Sequence, residues 1–427
     1  MKTYKLAVIG AGARGMTYAD YSIDHPEKFE IVAVAEPHDI RRNDAKVKYH
    51  IPDEMCFKDY KDFFKLPKCA DVVMICTLDD LHFDPAMKAI EKGYDILLEK
   101  PIAPTPEECI AITKAANEKG VNIIVCHVLR YTPFFRKLKD ILDDGTIGEV
   151  MNVIHCEGVG NLHQSHSFVR GNWRNTTVGA PMLLAKSCHD IDLLQWLLGK
   201  KCEKVQSFGA LTHFTPENQP EGAPDRCTDG CKYSDSCFYY APRLYIEKKN
   251  GWFECAATKL QNPTDEQILE ALKTTNYGKC VYKCDNNVVD HQVVNMLFEG
   301  NCTVSFTMSA FNKGGRHMRI MGTKGEIWAD LEEDIIKIYD FKTQAFSTVH
   351  AYERNVDGTI VGGHGGGDTG IMDDLYEFLN GTYKGKSIAG INVSNDNHLI
   401  VFAAEKSRHE NIVVDMGEYK KSLEKTP

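Results

Sequence analysis

The chain opens on a short apolar run, Lys5-Leu-Ala-Val-Ile9, which the small polar segment Gly10-Ala-Gly12-Ala-Arg-Gly15 cuts off at once. Uninterrupted apolar runs of this length predict strands buried on both faces. The same pattern returns at 30–35, 72–77, 96–98 and 122–126, with a helical pattern over 83–92 that Gly93 closes. Between the last two strands lies a helix with clear punctuation: Thr105 as N-cap, Pro106 in the first turn, Glu108 placed for a capping box, and Gly120 past its end. Strand and helix alternating in this way predict a parallel sheet with helices on both faces over 1–127.

From Met151 the pattern changes to longer β-type segments at 151–156, 205–211, 280–282, 292–298, 303–308 and 335–339. Few helices interrupt them, which predicts a large, open, mainly antiparallel sheet. The exceptions are 181–198, closed by Gly199, and two C-terminal helices over 370–380 and 393–408 expected to pack back on the first domain. Read as one helix, 181–198 buries Leu183, Leu184, Ile191, Leu194 and Leu198, and places Lys186, His189 and Asp190 together on another face. The expected fold is α/β: a Rossmann dinucleotide-binding domain (1–127) followed by an α+β domain (128–427).

A glycine turn between a buried strand and a helix is a dinucleotide site in the making. Gly10 allows the tight turn, Gly12 lets a pyrophosphate approach the backbone, and Gly15 lets the helix pack close; Ala11, Ala13 and Arg14 complete the cradle. Glu36 follows about 20 residues on, at the end of the next strand, as the fingerprint requires. Its charge suits ribose hydroxyls and repels a 2′-phosphate, so NAD is favoured over NADP, although Arg41 and Arg42 pull the other way.

Composition narrows the classes. The 427 residues are 43% hydrophobic and 26% charged with a formal net charge of -10, and no basic run exceeds a pair, which argues against nucleic acid or an anionic membrane as partner. No apolar run approaches the ~20 residues of a spanning helix. A strand stands where a signal peptide would, so a cytoplasmic location is expected. Most of the fifteen cysteines sit singly in apolar stretches and read as reduced, buried side chains.

The chemistry centres on Glu99-Lys100-Pro101, which follows a strand at the edge where open α/β sheets bind ligands. With Thr77-Leu-Asp-Asp-Leu-His82 and His189-Asp190-Ile-Asp192, the chain resembles the Gfo/Idh/MocA family of nicotinamide-dependent sugar oxidoreductases along nearly its whole length. The resemblance implies that Lys100 contacts the nicotinamide ribose and the reacting hydroxyl and that His189 is the general base, with Thr77, His82 and Glu99 on the cofactor side. Oxidising a secondary alcohol needs a base near neutrality and a positive charge beside the developing alkoxide, and the implied roles of His189 and Lys100 agree with that need. The resemblance also places Arg130, Tyr131 and Asp190 toward substrate and implies a homo-oligomer built through the second sheet. The loop carrying Trp173 and Arg174 offers an aromatic plate and a guanidinium suited to a sugar. His364-Gly-Gly-Gly-Asp368 reads as a loop able to approach a ligand or as a turn before a helix. One departure stands out: many family members carry an Asp four residues before the helix His, and here it is Ala185. Lys186 then either replaces that acid in catalysis or pairs with Asp190.

These features predict an NAD-dependent oxidoreductase acting on a secondary hydroxyl of a sugar, glycoside or polyol. The alternatives are a redox-neutral glycoside hydrolase or lyase working through transient oxidation, and a non-catalytic regulator that binds NAD and sugar. Separately, Cys227, Cys231 and Cys237 lie in a polar insertion and suggest a structural zinc site, with Cys188, His213 or Cys284 as fourth ligand. Free thiols remain the competing reading, and iron–sulfur ligation is less favoured by the spacing. Cys280 and Cys284 are expected on one face of a strand.

Overall fold

In the computed structural model, which describes residues 2–177, 179–352 and 363–424, six parallel strands carry the first domain. They are β1 (Tyr4–Ile9), β2 (Phe29–Ala35), β3 (Cys56–Phe57), β4 (Val72–Ile75), β5 (Asp95–Leu98) and β6 (Ile123–Val125), in the order β3-β2-β1-β4-β5-β6. Along β1, Ala7 and Ile9 enter one hydrophobic cluster while Leu6 and Val8 enter another on the opposite face. Burial on both sides explains the continuous apolar runs. The strand order reverses beside β1, and it is at the carboxyl edge beside such a switch point that open α/β sheets bind their ligands in a crevice.

Helix Pro106–Lys119 starts and stops where its punctuation requires. Thr105 Oγ1 accepts from the Glu108 N–H, and Gly120 closes the helix at φ 71°. The Glu108 carboxylate accepts from the Thr105 hydroxyl instead of the Thr105 N–H, so half of the capping box forms.

The second domain is a nine-stranded mixed sheet of β7 (Val150–Gly158), β8 (Cys202–Ala210), β9 (His291–Phe298), β10 (Cys302–Ser309), β11 (Gly315–Gly322), β12 (Gly325–Asp330), β13 (Ile335–Asp340), β14 (Ala345–Val349) and β15 (Val414–Asp415). Their order is β14-β13-β12-β11-β7-β10-β9-β8-β15, antiparallel throughout except for β7 with β10. Alternation along β10 buries Cys302, Val304, Phe306 and Met308 against helices Cys188–Leu198 and Ile391–Glu410. The other face leaves Ile154, Phe208 and Trp328 about half exposed. Helix Gly367–Leu379 packs back on the first domain, its Ile371, Met372 and Leu375 sharing a cluster with Tyr4 and Leu6.

Three expectations are corrected. Residues 280–282 form a turn, not a strand, because Lys279 makes an isolated bridge to Arg226 and the chain bends directly after it. Strands β11, β12 and β14 occupy a region without clear apolar alternation. The segment 181–198 is two helices, Met182–Ala185 and Cys188–Leu198, broken at Lys186 and Ser187. Among the described residues no helix is long and apolar enough to cross a membrane.

Candidate active site at the carboxyl edge of the parallel sheet

The glycine turn has the shape a dinucleotide needs. A Cβ at Gly10 would lie 2.7 Å from the Cys76 carbonyl oxygen, and one at Gly15 would lie 2.2 Å from the Gly10 carbonyl oxygen, so both positions exclude side chains. Gly12 faces open space, with nothing within 4 Å of its Cβ position. That opening, ahead of helix Ala13–Asp24, fits a pyrophosphate on the helix N-terminus. Glu36, at the end of β2, accepts from the Ala11 N–H at 2.9 Å and the His38 N–H at 3.0 Å. Arg42 is drawn to Asp39 and the Glu36 carbonyl, which leaves the carboxylate as the charge presented to a ribose.

Arg14 does not face the cradle. Its guanidinium pairs with Glu99 at 2.9 Å and Asp368 at 2.6 Å, and stands 3.2 Å from His364 Nδ1, so the 364–368 turn clamps the glycine loop instead of reaching for a ligand. Buried Glu99 also accepts from the Tyr18 hydroxyl at 2.7 Å and the Lys100 N–H at 3.0 Å. Burial pushes its carboxyl up, but Arg14 and Lys100 outweigh this and hold it below its ordinary value. Glu99 therefore ties the Lys100 backbone to Arg14 and Tyr18. His82 is fully buried, its ring nitrogens lying 2.7 Å from the Pro101 carbonyl and 3.2 Å from that of Thr77. Thr77 itself donates to the Leu81 carbonyl at 3.1 Å, which leaves it shaping the rim of the crevice.

Lys100 emerges from β5 and crosses to the second domain, where its Nζ donates to the Ala185 carbonyl at 2.7 Å. The helix break at Lys186 leaves that carbonyl for it. His189 follows on the next helix, nearly buried, with Nδ1 lacking a partner among the described residues. Burial and then the Lys100 charge push its imidazole well below the usual value, so the ring is neutral. Behind it lies His127, edge-on at 5.7 Å and fully buried.

Lys186 pairs with Glu157 at 3.3 Å, not with Asp190, because the helix break turns it away. Burial lowers the Lys186 ammonium below its ordinary value, partly against Glu157, while burial raises the Glu157 carboxyl against the pull of Arg316. Arg316 on β11 spans Glu157 at 2.6 Å and Asp190 at 2.9 Å. Asp190 is fully buried and also bonded to His155 at 2.7 Å. The structure thus places Asp190 in a buried network with His155 and Arg316, away from solvent.

Arg130 and Tyr131 lie in the core. Arg130 is buried and donates twice to Asp192, at 2.6 Å each, while Asn397 holds the same carboxylate. The Tyr131 hydroxyl accepts from the Ala389 N–H at 3.2 Å inside the core. Arg174 turns outward to Asp285 at 2.7 Å. Trp173 stays near the crevice, donating to Asp79 at 3.1 Å. Burial raises the Asp79 carboxyl while the Lys100 charge pulls it down.

Two side chains at this edge escaped the sequence reading. His163 lies 5.0 Å edge-on from Trp252, and burial followed by the Lys186 charge brings its imidazole down to about 2. Their separation in sequence gave no local signal, although His and Trp are side-chain types that line sugar sites.

The zinc expectation is not met as drawn. Among the described residues no group of three or more His, Cys, Asp or Glu side chains closes on a metal position. Cys188 lies in the main core, Cys284 donates to the Cys280 carbonyl, and His213 faces the Tyr282 hydroxyl.

Sequence comparison bears on this architecture directly. Residues 4–127 match the oxidoreductase family NAD-binding Rossmann fold of GFO_IDH_MocA, and residues 139–383 match that family's C-terminal alpha/beta domain. The chain belongs to the Gfo/Idh/MocA oxidoreductase family. Bacillus subtilis YteT is 26% identical over 336 residues, covering 77% of this chain and 76% of its own. The 2,7-anhydro-N-acetylneuraminate hydratase of Mediterraneibacter gnavus is 25% identical over 49% of this chain and 53% of its own, and the inositol 2-dehydrogenase of Burkholderia cenocepacia 28% over 48% and 57%. In fold, the aldose-aldose oxidoreductase of Caulobacter crescentus superposes with a TM-score of 0.67 at 15% identity, covering 97% of this chain and 100% of that one.

Proposed function

We propose that this Gfo/Idh/MocA protein oxidises a secondary hydroxyl of a sugar, glycoside or polyol with NAD. The observation that carries the reading is the Lys100 ammonium anchored on the Ala185 carbonyl beside the neutral, buried His189 imidazole. A bound nicotinamide supplies the hydride acceptor, and the open Gly12 cradle with the Glu36 carboxylate fits its dinucleotide. The His189 imidazole takes the hydroxyl proton, and the Lys100 ammonium stabilises the oxygen as negative charge grows on it. Relatives named for inositol and anhydro-sugar chemistry support a polyhydroxylated substrate.

One observation favours a second reading, redox-neutral cleavage through transient oxidation. Lys186, lowered by burial and partly exposed, is a second proton-transfer group that simple alcohol oxidation does not need and an elimination does. Incubation with a panel of glycosides and NAD, following NADH and released aglycone together, separates the two. NADH accumulation supports net oxidation, aglycone release without it supports cleavage, and neither product from any substrate rejects both. The half-exposed Ile154, Phe208 and Trp328 on the open sheet face support a homo-oligomer formed there.

A further inference from the structure

Cys227, Cys231, Cys237 and Cys280 line one small cavity of about 30 Å³, and Arg170 borders it. Backbone pairing brings distant cysteines together. The Cys227 N–H donates to the Gly278 carbonyl at 2.9 Å and the Cys280 N–H to the Asp225 carbonyl at 2.8 Å, around the Arg226–Lys279 bridge. Cys231 and Cys237 arrive on the following turns, where the Cys237 N–H donates to the Tyr233 carbonyl at 2.9 Å and Arg243 holds the Cys237 carbonyl at 3.0 Å.

Arg170 is the second observation. It is 1% exposed, yet no carboxylate pairs with it among the described residues. Its Nε donates to the Lys279 carbonyl and its Nη2 to the Tyr239 carbonyl, each at 2.8 Å. Nη2 also stands 3.7 Å from Cys227 Sγ, and Nη1 has no hydrogen-bond partner among the described residues. A buried guanidinium surrounded by neutral carbonyls and thiols lacks the counter-charge that burial demands.

We propose that Cys227, Cys231, Cys237 and Cys280 bind a thiophilic metal as thiolates, with Arg170 as the buried counter-cation. Four thiolates on a divalent ion leave an excess of two negative charges, which Arg170 partly neutralises. The thiols stand around the cavity without meeting at one point, so binding draws the sulfurs inward and releases their protons to solvent. Cys280 replaces Cys188, His213 and Cys284 as the fourth donor. The centre ties the insertion to the segment Gln164–Arg170, the continuation of the chain beyond His163 at the crevice.

The test is metal analysis of the full chain purified without oxygen from zinc- and iron-supplemented cells, with acid-labile sulfide measured alongside. About one zinc per chain without colour supports a mononuclear site, and iron with matching sulfide supports a cluster on the same thiolates. In either case Cys280→Ser loses the metal, Cys284→Ser keeps it, and Arg170→Gln weakens it about 10–100-fold. Circular dichroism verifies that each variant is folded; should Cys280→Ser not fold, cobalt(II) titration of the wild type gives the readout through thiolate charge-transfer absorbance. Metal-free protein that gives no such absorbance with cobalt(II) overturns the proposal, as does metal that persists in folded Cys280→Ser or departs in Cys284→Ser.

Discussion

Lys100 Nζ and the Ala185 carbonyl meet at 2.7 Å across the domain boundary, 85 positions apart in sequence. The contact exists because the helical pattern over 181–198 breaks at Lys186 and leaves the carbonyl without an intrahelical donor. It sets a cation at the carboxyl edge of the parallel sheet, bonded four residues ahead of His189 across the break between the two helices.

Removing that cation separates chemistry from binding. Lys100→Met is expected to lower kcat by about 10²–10³-fold, the cost of losing one donor to a developing oxyanion, while NAD affinity changes little. Steady-state kinetics with calorimetric NAD titration decides this, and an unchanged kcat rules out the assigned role.

His189 makes a prediction in pH. Its folded value lies below the usual one because of burial and Lys100, so the base is already neutral at pH 6.5 and stays neutral at every higher pH. The acidic limb of kcat/KM for oxidation should therefore fall below pH 6.5, with a plateau through neutrality. A limb centred at about pH 6.5 or higher would show that the ring is not depressed. His189→Asn should remove the limb and lower kcat by about 10²–10⁴-fold.

Arg130 and Asp192 form a buried pair beneath the site, so Arg130→Leu leaves an uncompensated carboxylate. Urea denaturation should show a loss of about 3–5 kcal/mol. Full stability with a raised KM would return Arg130 to the substrate.

The proposed NAD site sets an adenosine ribose at the Glu36 carboxylate, and Arg42 is occupied by Asp39. Glu36→Ser should lower the preference for NAD over NADP by at least about tenfold, read as the ratio of kcat/KM values. No change in that ratio would mean the carboxylate serves only the Ala11 loop.

Much of this was legible in the chain. β1 and the Gly10–Gly15 turn, the punctuation at Thr105 and Gly120, and Lys100 at a strand end all follow from local rules of burial, capping and backbone freedom. What escaped depends on distant partners. Apolar Met182–Leu184 and Ile191–Leu194 read as one helix because hydrophobicity continues across the break at Lys186. Arg130 resembled a ligand-binding arginine until Asp192, 62 positions away, took its guanidinium. Cys280 had no local motif, and only the bridge at Lys279 brings it beside Cys227.

The central claim is that Lys100 and His189 together activate a sugar hydroxyl for hydride transfer. Single-turnover mass spectrometry with carbon-deuterated sugars and NAD tests it most directly, because it registers transfer whether or not NADH is released. The account predicts deuterium on the nicotinamide ring in the wild type, with transfer slowed at least about 100-fold in Lys100→Met and His189→Asn. Transfer at the wild-type rate in both variants would contradict it.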